Sequence, residues 1–432
     1  MTVLPIASVW TTFGLTACPF QPDPVRPEHA LTDDSLFVGR KDDLRAVTSL
    51  IASSDRSWSV VQGDPGVGKT SVVNALKGRL TTAGLVWTHD EPILMREGLT
   101  PDGFLTYALA TLYEIRSRLP LTANGDDRFW DAVKERLDGA DRRSVGATVS
   151  VLGVGGGGSH STTRVRPEHE GPATVRLFTK AVQSLVDCSG RPLLLHVNNL
   201  ERLSASDVTR ASGILLDLRE TLRLRGAHWI FVGGGQLQAT VFQPHDQLAG
   251  MVPVTRTLQP LTLAEVQELL ARRYEMFTVE GASAIPPVTH DAVETLHSTY
   301  RGNLRRFLVL LEGAVIQGTV RGRSLTLDDV LAHVQPTYLA ALRDLIGADE
   351  TDALLKLREY QAPGDPMEFT PTTLRKAGVV NSPPRATEFM KMLERLGAVR
   401  FERSEGTSRI YRLAGDAGVG LGIVARTLKQ RG

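Results

Sequence analysis

Eight residues constrain this chain more than any others. Gly63-Asp64-Pro65-Gly66-Val67-Gly68-Lys69-Thr70 fits G-x-x-x-x-G-K-S/T at every fixed position. An apolar run, Trp58 to Gln62, precedes it, and Ser71 to Leu80 reads as a helix. Strand, glycine loop and helix in that order predict a loop whose backbone N–H groups curl around an anion. The helix N-terminus adds a partial positive charge. In such a loop Lys69 is expected to reach the β- and γ-phosphates of a nucleoside triphosphate, and Thr70, followed by Ser71, to place its hydroxyl on Mg2+. The ligand expected on these grounds is ATP with Mg2+.

Around this loop, short apolar runs alternate with helical patterns. Strands are read at Leu85–His89, Pro192–Val197, His228–Val232 and Met251–Thr255, and helices at Lys41–Ile51, Thr100–Arg118, Asp127–Leu137, Ala173–Val186 and Ala205–Leu224. That alternation predicts a parallel sheet covered on both faces. Residues 144–166, with Gly153 and Gly155–Gly158, interrupt it and are read as a flexible insertion. The alternative is a hairpin, because Ala147–Val151 alternates like a strand. From Thr262 the pattern is helical, opening on the capping box Thr262-Leu-Ala-Glu265 and continuing with helices near 262–276, 290–299, 303–316, 326–333 and 336–345. The last part reads as three helices, 350–360, 371–377 and 383–396, then strands 398–403 and 408–413 joined by a turn, the order of a winged helix. The expected division is an extended proline-rich arm (1–35), an α/β core (36–260), a helical lid (261–346), a winged helix (347–414) and a tail (415–432).

At 42% hydrophobic and 22% charged over 432 residues, the chain can bury several cores and is not a disordered polymer. Its net charge of +1 excludes a uniformly basic surface, so any nucleic-acid contact must be local. Two distant cysteines, Cys18 and Cys188, make neither a disulfide framework nor a zinc site. Met1 to Cys18 lacks a basic n-region, and no apolar run approaches the ~20 residues of a membrane span. A cytoplasmic protein without membrane contact is expected, and the excess of arginine over lysine hints at a bacterial source.

These features together resemble the AAA+ ATPases, in particular the origin-recognition and replication-initiator clade, with the STAND signalling ATPases as neighbours. Phe37-Val38-Gly39-Arg40 with Asp43-Leu44, before the phosphate loop, is similar to the start motif that packs on the adenine in these families. Gly302-Asn303-Leu304-Arg305-Arg306 is similar to their sensor 2 motif. The resemblance implies that Arg305, or alternatively Arg306, points at the γ-phosphate. It also implies a P-loop NTPase parallel sheet in strand order 5-1-4-3-2 with a helical lid.

The chain departs from the family where hydrolysis would be catalysed. Its Walker B segment, Leu193 to Asn199, ends in Asn198-Asn199 instead of two carboxylates. Amides orient water but carry no charge and cannot act as a base. Glu201 is the nearest substitute. Loss of one such contribution costs ~10²–10⁴ in rate, so hydrolysis is expected to be slow or absent. Gln236–Gly250, where AAA+ rings carry an arginine acting in trans, contains no Arg or Lys, and Arg256 is a poor substitute. Gly233–Gly235 occupies the sensor 1 position, with Gln236 nearest.

Residues 371–432 hold twelve Lys and Arg against five acids. Arg375 and Arg385 fall on helices, Arg403, Arg409 and Arg412 on the wing, and Asn381-Ser382 is read as the cap of the recognition helix. Double-stranded DNA is the expected partner of this surface. Two functions stay open: a nucleotide switch that binds DNA, and a STAND-like scaffold whose winged helix binds protein, with a separate effector protein.

Overall fold

The computed structural model describes residues 8–22, 37–119, 127–149, 171–200, 205–318, 322–360, 365–406 and 408–425. They form two compact units. One runs from Arg40 to Gln259; the other runs from residue 260 onward and includes the described residues before Arg40.

The first unit contains α1 (Lys41–Ser53), β1 (Ser57–Gly63), α2 (Lys69–Thr82), β2 (Trp87–Thr88), β3 (Ile93–Leu94), α3 (Pro101–Arg118), α4 (Asp127–Val149), α5 (Gly171–Ser189), β4 (Leu193–Asn198), α6 (Ala205–Asp217), α7 (Arg219–Leu222), β5 (Ala227–Gly233), α8 (Asp246–Ala249) and β6 (Val254–Leu258). All pairings are parallel, in the order β2-β4-β5-β1-β6, with β3 also on β4. Counting β2 and β3 as two halves of one strand, this is the expected order 5-1-4-3-2. Strands β1 and β5 are buried along their whole length, which is why they read as continuous apolar runs. Trp229, Phe231, Phe104 and Phe178 pack under the sheet with ring centroids about 6 Å apart.

Several local expectations shift. The second strand is broken between Thr88 and Ile93. The fifth begins at Val254 rather than Met251, so Arg256 sits inside it, paired with Asp43. The helix read over 205–224 breaks at Leu218. Helix α4 continues to Val149, against the hairpin reading of 147–151; the rest of the glycine-rich insertion lies outside the described residues.

His228 on β5 is fully buried, with its Nδ1 2.8 Å from the Ser57 hydroxyl. Burial pulls its pKa down to about 4, with Asp55 opposing weakly. The unfolded chain therefore takes up a proton near pH 6.5 that the folded chain accepts only near pH 4. Stability should fall across that window by about 3 kcal/mol from this group. Urea midpoints measured from pH 7 to pH 4 should show the slope, and His228→Asn should flatten it.

The second unit contains α9 (Leu263–Phe277), α10 (His290–Tyr300), α11 (Leu304–Gln317), α12 (Leu327–Ile346), α13 (Ala348–Glu359), β7 (Glu368–Phe369), α14 (Pro371–Lys376), α15 (Pro383–Arg395), β8 (Val399–Glu405), β9 (Ser408–Leu413) and α16 (Gly415–Leu421). The capping box at Thr262 forms as expected. The two helices expected around Pro336 are one helix, α12, with the proline inside it. Val330 and Val334 belong to the lid core, Leu342 and Ile346 to the C-terminal core. Burial at both ends holds α12 continuous across the ~3 kcal/mol cost of an internal proline, and lid and C-terminal domain form one unit rather than two.

The C-terminal sheet is antiparallel, in the order β7-β9-β8; with the preceding helices this is consistent with a winged helix. β7 was not foreseen. Nor was α16, in the expected tail: a Cβ on Gly420 would come within 2.9 Å of the Tyr338 backbone, so the glycines that resemble a loop let α16 press against α12.

The expected extended arm is, over its described part, a short 3-10 helix (Val9–Phe13) followed by turns and bends. Phe13, Leu15 and Phe20 are buried in the lid core, and Leu15 bridges Thr278.

Candidate nucleotide-binding site

The phosphate loop joins β1 to α2. Gly68 caps α2 at φ 95, a left-handed conformation that glycine adopts without strain, and a Cβ there would project into open space with no atom within 4 Å. The first N–H groups of a helix have no intrahelical acceptor, and α2 begins at Lys69, directly after this glycine. The Lys69 ammonium is held over the loop, donating to Gly63 O at 2.8 Å and Asp64 O at 3.1 Å. Asp64 and Pro65 form the exposed outer arc, Gly66, Thr70 and Ser71 are half-buried, and Val67 packs inward. A glycine-lined hollow with a lysine and a helix N-terminus fits a polyphosphate.

Arg40 clamps the base of this loop. Its guanidinium is buried and donates to Val67 O (3.0 Å) and Gln259 O (2.7 Å). Asp43 links it to Arg256. Arg40 and Arg256 thus brace the loop to β6. Val38 is buried in the lid core, and Gly39, at φ 70, lies against Glu265 of the capping box.

At the end of β4, side chains alternate between faces. Leu193, Leu195 and Val197 enter the main core. His196 and Asn198 lie on the other face, where Lys77 of α2 acts on His196. Asn198 Oδ1 accepts the N–H of Asn199 at 2.8 Å, and Asn199 has φ 68. Asparagine tolerates that left-handed turn, so this pair shapes the strand end. Among the described residues no carboxylate stands on this strand end. Glu201 lies outside the described residues.

Lys77 is wholly buried and donates to His89 O (2.7 Å) and Asp90 O (3.1 Å); burial lowers its pKa to about 8. Near the expected sensor 1 segment, one glutamine side chain makes polar contacts and another makes none among the described residues. Gln236 is exposed, whereas Gln62 accepts the Gln238 N–H (2.8 Å) and donates to Thr257 (2.9 Å), tying the ends of β1 and β6 to the turn after β5. A glutamine immediately before Gly63 was the available signal.

In the other unit, Arg305 is exposed on the first turn of α11 with no partner among the described residues, whereas Arg306, the alternative, pairs with Asp416. Of the basic residues expected to meet DNA, Arg375, Arg385 and Arg409 are exposed and have no partner among the described residues. Arg403 is exposed but bound to Glu368 and Glu405, which raise its pKa further. Arg412 is not on the surface at all: it is buried against Asp365 and Glu368. Ser382 precedes α15 but its side chain makes no capping bond; Pro383 and Pro384 remove the N–H groups of the first two positions and leave that of Arg385 as the first available.

Among the described residues no helix is long and apolar enough to cross a membrane. Residues 36–232 match the family model described as an AAA ATPase domain. No curated protein sequence matches the chain. Among solved structures, the chain is similar to the ORC2 protein of Aeropyrum pernix in ADPNP–ADP complexes, at 15% identity and a TM-score of 0.50, covering 95% of this chain and 98% of that one. Weaker likenesses are the Aeropyrum pernix ORC1 protein in complex with DNA (13% identity, TM-score 0.44, 92% and 96% covered) and Cdc6p from Pyrobaculum aerophilum (13%, 0.44, 94% and 97%). Residues 36–232 thus match an AAA ATPase domain, and the parallel-sheet α/β core has the AAA+ P-loop ATPase fold, shared with the Aeropyrum pernix ORC2 protein.

Proposed function

We propose that this protein is an ATP-binding switch with slow or no hydrolysis, which couples nucleotide occupancy to DNA binding through its C-terminal winged helix. The observation that carries this reading is the contrast between two ends of one site. The phosphate loop has open space beside Gly68 and holds the Lys69 ammonium over Gly63, which supports phosphate binding there, while the strand end that would activate water holds Asn198 and Asn199. Bound Mg2+ would neutralise phosphate charge. Val38, Gly39 and Arg40 would flank the base, and Arg305 would engage the terminal phosphate, as the family resemblance implies. With no base at Asn198 or Asn199, and only Glu201 in reserve, the bound state persists.

DNA is favoured as the partner because Arg375, Arg385 and Arg409 are exposed and have no neutralising partner among the described residues. Purified protein should bind about one ATP per chain with negligible turnover. Robust turnover, abolished by Lys69→Ala, would remove the reading. DNA affinity should fall steeply with salt, and Arg385→Ala with Arg409→Ala should reduce the log–log salt slope by about two. Anisotropy titrations between about 50 and 200 mM salt measure it. Salt-insensitive or absent DNA binding would move the partner to a protein, with a separate effector.

A further inference from the structure

Four consecutive residues at the C-terminal end of α10 each bond to the C-terminal domain. Ser298 O accepts from Arg412 (3.3 Å), Thr299 Oγ1 accepts the Ala425 N–H (3.1 Å), and the Tyr300 hydroxyl donates to Asp416 (2.9 Å). Arg301 pairs with Glu402 on β8 and with Glu368 at 3.3 Å. On the first turn of α11, Arg306 also pairs with Asp416. Glu368 collects Arg403 (2.9 Å) and Arg412 (3.6 Å) as well, although its side chain is only 16% exposed.

The backbone is shaped for this. Arg301 is one of two non-glycine residues with positive φ among those described, in the turn that separates α10 from α11. On β8 the register with β9 slips between Phe401 and Arg403, which leaves Glu402 out of the regular ladder, where it meets Arg301. Arg400 and Arg403, either side of this bulge, lie on the proposed DNA-binding wing. Arg305 lies between the anchored Arg301 and Arg306 and is itself unpartnered among the described residues.

We propose that residues 298–306 form a joint fixing the wing to the lid, and that Arg301 and Glu402 are positioning residues that relay nucleotide occupancy from the Arg305 turn to strand β8. The relay rests on the nucleotide-to-DNA coupling proposed above. Two sites are coupled only through an element whose arrangement both of them bias. A flexible linker would transmit nothing, whereas a wing bonded to the turn before α11 must shift when that turn shifts.

The test uses the full chain with Arg301→Gln, Glu402→Gln and the charge-retaining Arg301→Lys. Nucleotide affinity and nucleotide-free DNA affinity should stay within about twofold of wild type, while the change in DNA affinity on adding ATP, about tenfold in wild type, should fall below about twofold in both Gln variants and persist in Arg301→Lys. Undiminished coupling in both Gln variants overturns the relay. Hydrogen exchange without nucleotide or DNA judges the joint separately: β8–β9 amides should exchange at least about tenfold faster in Arg301→Gln, and unchanged exchange overturns the joint. If wild type shows no coupling, the functional reading and the relay fall together, and the exchange result alone decides the joint.

Discussion

Gly68→Ala is expected to lower ATP affinity by at least about 100-fold while the protein stays folded. A methyl group at φ 95 costs about 1–2 kcal/mol of backbone strain, which a domain of this size tolerates. It meets no protein atom, so it adds no clash. It does enter the hollow that phosphate oxygens would fill. Displacing them from two charge-assisted hydrogen bonds, each contributing about 1.5–3 kcal/mol, gives the 100-fold loss. Lys69→Ala should lose as much by a different route, through the missing ammonium. Titration with labelled ATP, paired with thermal melts, measures both; wild-type affinity in Gly68→Ala would show that phosphates do not sit against this loop.

The second large effect lies far from the phosphate loop. Phe13→Ala should destabilise the second unit by about 3–5 kcal/mol, the usual cost of emptying a buried phenylalanine site. Phe13 is 1% exposed and shares a core with α9, α10 and α11. Its main chain accepts the Ile285 N–H at 2.9 Å, and Gly14 O accepts that of Val279. A surface arm would tolerate the change within about 0.5 kcal/mol. Urea unfolding followed by lid-specific hydrogen exchange separates the two cases, and a near-neutral result would show that residues 8–22 detach without cost.

Where local sequence and tertiary context agree, the chain is legible. Thr100 caps α3 as its hydroxyl accepts the Gly103 N–H, with Pro101 at the first helical position, and helices α9 to α11 fall within a residue or two of their periodic patterns. Arg412 is the opposite case. On sequence it is one more wing arginine, but three residues from distant parts of the chain, Ser298, Asp365 and Glu368, decide that it is buried. The aromatic residues near the N-terminus carry no helical or strand period, so nothing local could announce that they complete the lid core.

By itself the sequence determined the phosphate loop, the order of strands and helices around it, and the missing carboxylates at Asn198 and Asn199. All three depend on residue types at short spacing, where backbone conformation and side-chain chemistry are set locally. Only the tertiary structure decided which arginines remain available to a ligand, how α12 runs through Pro336, and how residues 298–301 are bonded to the C-terminal domain. Those outcomes depend on groups far apart in the chain, whose burial and charge pairing exist only once the second unit has folded around them.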